Sequence, residues 1–198
     1  MLTLQILVAV TIGIVWGKLY PTAPIWQSAD SITTFALYAL LFLIGVELSQ
    51  NRQVWQEIKI HGWRLLLVPA GVVVGTLAGG ALASLVLAMP TRDALAVAAG
   101  FGWYSLTGVM LSQMGRVELG ALAFITNVLR ELFAIICIPL VAHHLGSMVA
   151  IAPGGATTMD TTLPLIAEAT QNEATVAAFI NGAILSALVP ILVPLFIG

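Results

Sequence analysis

Charge is what this sequence has least of. Only 8% of its 198 residues are Asp, Glu, Lys or Arg, 60% are hydrophobic, and the mean hydropathy is +1.04. Soluble domains carry about 25% charged and about 45–50% apolar residues. A water-soluble globule is therefore excluded, because so few charges cannot offset so much apolar surface. The seven Lys and Arg form no run and the formal net charge is −2, which leaves no electrostatic footprint for nucleic acid. A single cysteine, Cys137, lies in an apolar stretch and offers neither a disulfide framework nor a cysteine-rich metal cluster. His143 and His144 are adjacent, cannot share a helix face, and are read as interfacial rather than as metal ligands. A phosphate-binding loop of the Gly-x-x-x-x-Gly-Lys-Ser/Thr type is also missing. Any energy source is then a gradient or a partner.

What is present is apolar runs of membrane-spanning length. About 20 apolar residues cross the hydrocarbon core as a helix. Polar punctuation divides the chain into segments 3–17, 31–48, 64–88, 94–112, 119–142, 147–166 and 174–197. The expectation is an all-α transmembrane bundle of about seven spans, one or two of them interrupted, forming a single transporter domain over 1–198. The first run has no cation before it and Lys18 after it, the reverse of a secretory leader, so it is read as a retained helix. Trp16, Trp26, Trp55 and Trp63 fall near predicted helix ends, where amphipathic rings favour the headgroup zone. Arg52, Lys59 and Arg64 make the densest basic loop and are assigned to the cytoplasm. Seven spans then put the N-terminus inside, the C-terminus outside, Arg116 inside, and Lys18 and Arg92 outside.

Two regions break the apolar pattern. One is Gly100-Phe101-Gly102-Trp103-Tyr104-Ser105-Leu106-Thr107-Gly108. The other runs from Ala152 through Pro153, Gly154, Gly155, Thr157, Thr158, Asp160, Thr161 and Thr162 to Pro164. Glycine loosens a helix and proline removes a donor. Freed backbone groups at membrane depth are tolerated only where protein or a water-lined cavity satisfies them. Gly102, Gly108, Pro153, Gly154, Gly155 and Pro164 are therefore read as helix breaks. A proline kink with small-residue packing would account for the glycines and prolines alone. It does not account for Asp160 and four threonines.

Segment 119–142 carries Asn127, Arg130 and Glu131. Glu131 lies about 18 Å from Leu119 at ~1.5 Å per residue, near mid-depth. Asn127 and Glu131 share a face, whereas Arg130 points to one side and is expected to bond across to another helix. An ionised group at mid-bilayer costs roughly 2.5–3.5 kcal/mol even on the gentler insertion scale. A salt bridge of Arg130 to Asp160 or Glu131 would only glue helices. One cation, however, cannot neutralise two carboxylates, so a proton or a bound cation completes the balance. Glu131 and Asp160 are thus the candidate substrate- or proton-binding pair. Asn127, Arg130, Trp103, Tyr104, Ser105, Thr157, Thr158 and Asn181 are candidates for a supporting polar cavity.

These motifs resemble the lysine exporter (LysO) family. The resemblance rests on the run Gly100–Gly108, on Arg130-Glu131-Leu132, on Gly155–Pro164 and on Ile184–Leu192, and it extends through nearly the whole chain. It implies export of L-lysine and its toxic analogues across the bacterial inner membrane, with intramembrane acids matching Glu131 and Asp160. Family members commonly carry a further N-terminal region of about three helices, and this chain matches the part that follows it. The resemblance thus implies a separate small membrane partner or a homo-oligomer. It implies no cofactor. Proton antiport follows from the chemistry, since one carboxylate holds an ammonium or a proton but not both. Two other readings stand beside it at this stage: an inorganic-cation/proton antiporter using the same acids, and a non-transporting subunit. An intramembrane hydrolase would need two aspartates in close register, and no such pair of motifs is present.

Overall fold

The computed structural model describes residues 65–198 throughout and only scattered positions between residues 12 and 46. The expected helices 3–17 and 31–48 lie largely outside the described residues. So do Trp26, Trp55, Trp63 and the basic loop with Arg52, Lys59 and Arg64. The chain divides into two compact units, Met1–Leu40 and Leu41–Gly198. In the first, the described positions around Trp16 are helical, and the rings of Trp16 and Tyr20 meet at a 40° tilt with centroids 5.2 Å apart. The second unit carries the rest.

The described residues of the second unit are helical, with no strand among them. Three helices are long and apolar enough to cross a membrane: α1 (Leu67–Val86), α4 (Val117–Leu145) and α6 (Thr175–Ile197). Between them lie the short helices α2 (Thr91–Ala98), α3 (Tyr104–Gln113) and α5 (Leu163–Ala169), and two 3₁₀ turns, Val149–Ile151 and Gly155–Met159. Pro69 is tolerated near the start of α1, where its missing N–H has no partner to lose. Pro139 in α4 and Pro190 and Pro194 in α6 are carried without ending either helix.

The expected span 94–112 is not a span. It is a hairpin made of α2, a break at 99–103, and α3. Its two ends close on each other through an ion pair of Arg116 with Asp93 at 2.5 Å. Residues on opposite membrane faces could not meet in this way, since the hydrocarbon core is about 30 Å thick. The expected span 147–166 fails in the same manner. The two 3₁₀ turns lead in, α5 leads out, and Ser147 donates to Glu173 at 2.7 Å across the base. The physical reason is length: α2 is 8 residues and α3 is 10, roughly 12 and 15 Å at ~1.5 Å per residue. Neither arm reaches across a bilayer. The placement of Arg116 on the opposite face from Arg92 is thereby corrected, and the described part holds three spans and two re-entrant hairpins.

The two hairpins enter from opposite ends of α4. The base of the first adjoins Arg116, just before α4, and that of the second adjoins Ser147, just after it. The α4 helix has 29 residues, about 42 Å. The hairpin tips therefore meet at mid-depth. A buried cluster of Ala134, Ile138, Ile151, Ile166, Ala174 and Ala178 packs the second hairpin between α4 and α6.

Labelling tests this topology. In a Cys137→Ser background, cysteines placed at Arg92 and Glu118 should react with a membrane-impermeant maleimide from one face. Cysteines at Ser147 and Gln171 should react only from the other. Labelling of positions 92 and 118 from opposite faces would restore two crossings and sink the hairpin reading.

Candidate functional site

The site lies where the tips meet, and its first requirement is backbone satisfaction. The Ala156 N–H donates to the Phe101 carbonyl at 2.8 Å, joining tip to tip. Phe101 and Gly102 have φ of +48° and +100°, and Gly155 has φ +63°. Gly155 has a second reason to lack a side chain: a Cβ there would overlap the Phe101 carbonyl oxygen and crowd the Arg130 guanidinium.

Three side chains brace the tips, although the buried Oδ1 of one of them, Asn181, has no hydrogen-bond partner. Asn127 of α4 accepts from Gly102 N–H at 2.7 Å and donates to Val97 O at 3.2 Å and Ala123 O at 2.9 Å, which holds the first tip. Arg130, one turn further on, donates through Nε to Pro153 O at 3.3 Å and through Nη2 to Ala152 O at 3.4 Å, which holds the second. Its Nη1 donates to Thr76 Oγ1 of α1 at 3.2 Å. Asn181 of α6 donates to Gly155 O and Thr158 Oγ1, both at 3.0 Å. Thr158 passes its own proton to Ala178 O at 2.7 Å. Thr157 bonds Gly154 O at 2.9 Å and faces the Thr162 hydroxyl at 3.2 Å.

Glu131 is the central residue of α4. It is half-buried, interacts with the Thr161 hydroxyl, and lies within electrostatic reach of Asp160. Tyr104 is within the same reach of both acids, and its ring meets Phe124 edge-on at 5.4 Å. Asp160 is exposed, and Trp103, Thr157, Met159 and Ser186 line a pocket of about 70 Å³ with it. The two acids and Tyr104 thus share one neighbourhood. Arg130 makes an ion pair with neither acid, so the helix-gluing salt bridge does not form.

Other expected residues fall elsewhere. Thr158 and Asn181 are fully buried and brace the break instead of facing a cavity. Ser105 is exposed on α3. Gly108 is not a break: it lies inside α3, packed against Gly120 and Phe124 of α4. Pro164 opens α5 at its second position, where proline suits a helix start. Gly102, Pro153, Gly154 and Gly155 stand at the breaks.

The sequence profile of lysine exporter LysO matches residues 7–197. The chain belongs to this family. It is 39% identical over 170 residues to the "Lysine exporter LysO" of Escherichia coli (strain K12), covering 86% of this chain and 56% of that protein. It is 33% identical over 192 residues to a Haemophilus influenzae (strain ATCC 51907 / DSM 11121 / KW20 / Rd) protein named "Putative lysine exporter", covering 97% of this chain and 96% of that one. The chain therefore spans little more than half the length of the first relative and nearly all of the second. No solved structure matches it.

In this LysO-family chain, sequence reasoning missed several contributors. Thr76 is one of two hydroxyls in the otherwise apolar α1, with Ser84, which was a legible signal. Thr161 was passed over among its neighbouring threonines. Gly182 lets the second tip press on α6, since a Cβ there would overlap Met159 N. The closures Asp93–Arg116 and Ser147–Glu173 were visible only as polar residues flanking each broken segment.

Asn127→Ala should lower stability by about 1–3 kcal/mol for each backbone group left without a partner. The check is thermal unfolding of the purified protein in detergent. Unfolding at the parental temperature would show that Asn127 is not the brace of the first tip.

Proposed function

We propose that the chain is a secondary transporter of the inner membrane that exports L-lysine in exchange for protons, with Glu131 and Asp160 as the groups that hold the ammonium or the proton. The observation that carries this reading is the meeting of two re-entrant hairpins beside a carboxylate at the centre of a membrane-spanning helix. Crossed, interrupted helices at mid-depth recur in secondary transporters, where they present ligands to a substrate that both faces must reach in turn. Membership of the LysO family supplies the substrate.

The chemistry is competitive. A carboxylate in a weakly polar site needs a positive partner, because its ionised form is costly there. The ε-ammonium of lysine meets that need, and so does a proton. Loading one displaces the other, which is the minimum requirement for exchange. Two acids in one neighbourhood sharpen the competition, since they repel each other when both are ionised. Trp103, at the wall of the Asp160 pocket, is placed to cover the aliphatic stem or the ammonium. Tyr104 and Thr157 offer neutral hydrogen bonds, and Ser105 does so if closure brings it inward.

Orientation follows from the corrected topology. With Arg52, Lys59 and Arg64 in the cytoplasm, the base at Asp93 and Arg116 faces outward, the base at Ser147 and Glu173 faces inward, and the C-terminus is outside. With the expected helices 3–17 and 31–48 taken as two crossings, the N-terminus is cytoplasmic. A small membrane partner or a second copy completes the transporter if the chain does not work alone.

The test is release of radiolabelled lysine from liposomes holding the purified chain, with and without a pH gradient. Gradient-dependent release is expected, falling about 100-fold in Glu131→Gln and in Asp160→Asn, the equivalent of losing roughly 2.5–3.5 kcal/mol of charge compensation. Parental rates in both variants would end the assignment of these acids.

A further inference from the structure

Arg130 is the one strongly basic group set at mid-depth in the described residues, and it has no counterion. Its neighbour Glu131 belongs to the opposite neighbourhood, with Asp160 and Thr161. The acceptors that Arg130 does have, Pro153 O, Ala152 O and Thr76 Oγ1, are all neutral and lie at 3.2–3.4 Å. Charge-assisted bonds of guanidinium to an anion are shorter, about 2.7–2.9 Å. A guanidinium carries five N–H groups, so three donations leave two free, one on Nη1 and one on Nη2. An uncompensated cation at this depth is expensive, and a planar fork with two open donors is the geometry that takes a carboxylate.

The fork is also accessible. Arg130 stands at the end of a cavity of about 270 Å³, beside Thr76, Thr126 and Asn127. Gly79, Gly80, Ala83, Ala94 and Ala98 make its walls apolar, and Leu87 and Met89 mark its other end, near the base of the first hairpin. The cavity thus runs from the Asp93–Arg116 face to the centre of the membrane and stops at a cation. Its size is close to the lower end of small-molecule sites, about 300–1,000 Å³. Next to it, an open pocket of about 500 Å³ contains Glu118 and the Asp93–Arg116 ion pair and shares Leu122 with it. A molecule leaving with its anionic end at Arg130 would pass its aliphatic chain along the small-residue walls.

We infer that Arg130 is the specificity-determining group for the α-carboxylate of the transported amino acid, set at the inner end of the cavity between α1, α2 and α4, through which the molecule leaves toward the Asp93–Arg116 face. This rests on the lysine-export reading and adds a part to it: the acids near Asp160 select the cation, and Arg130 demands that the same molecule carry a carboxylate. A diamine without the carboxylate would satisfy the first and fail the second. Arg130 would then both brace the second tip and sense the substrate, so occupancy is reported directly to the break.

The experiment is a binding panel on the full-length purified chain in detergent, by isothermal titration or ligand-induced thermal shift. The probes are L-lysine, L-lysinamide, cadaverine and L-norleucine. Lysine should bind about 10- to 100-fold more tightly than lysinamide and cadaverine, the loss expected when a charged hydrogen-bonding pair is broken. In Arg130→Gln the lysine-to-lysinamide ratio should fall to near one, and Arg130→Lys, which keeps the charge without the fork, should give an intermediate ratio. Norleucine binding as tightly as lysine, with lysinamide weak, would support the carboxylate site while refuting lysine as the preferred substrate. Lysinamide and cadaverine binding as tightly as lysine to the parental protein would overturn the inference and leave lysine export standing. Because the ligand series is read on the unmodified protein, the outcome does not depend on whether the variants fold.

Discussion

The structure depends on one constraint: backbone polar groups freed at the centre of a bilayer must find partners inside the protein. Lipid offers no hydrogen bonds, and helices gain little from hiding apolar surface there. Two chain breaks at mid-depth would therefore be untenable without dedicated acceptors and donors. Asn127, Arg130 and Asn181 fill that role from the intact helices on either side. Each is a long or amide side chain able to bond in more than one direction. The breaks persist because these three residues stand where they do.

The same requirement separates two functions that the sequence had merged. The polar residues of the central region looked like one cavity lining. In the fold, Asn127, Thr158 and Asn181 serve the architecture, while Glu131, Asp160 and Tyr104 are left within electrostatic reach of one another. Arg130 belongs partly to each group. A residue's polarity at depth therefore says that it has work to do, but not whether that work is structural.

The all-α membrane character was legible because composition alone rules out the alternatives. Glu131 and Asp160 stood out because each interrupts a run of apolar residues. The breaks were legible from Gly102, Pro153, Gly154 and Gly155. What could not be read was direction. A glycine-rich interruption inside a 19-residue apolar stretch looks the same whether the chain continues across or turns back. The distinction lies in the ion pair of Asp93 with Arg116 and the bond of Ser147 to Glu173, which are contacts between residues more than twenty positions apart. Gly108 was misread because glycine serves close packing as readily as it serves a break.

The two hairpins differ in how they are wound. The first is built of α-helical arms, whereas the inward arm of the second holds eight residues in 3₁₀ turns, Val149–Ile151 and Gly155–Met159. A 3₁₀ turn rises about 2.0 Å per residue against about 1.5 Å for the α form, with poorer hydrogen-bond geometry. The arm that ends at Asp160 is therefore longer per residue than an α-helical arm. Recoiling those eight residues into α-helix would shorten it by about 4 Å. The carboxylate would be drawn along the axis with its hairpin base left in place, much as a spring retracts its tip.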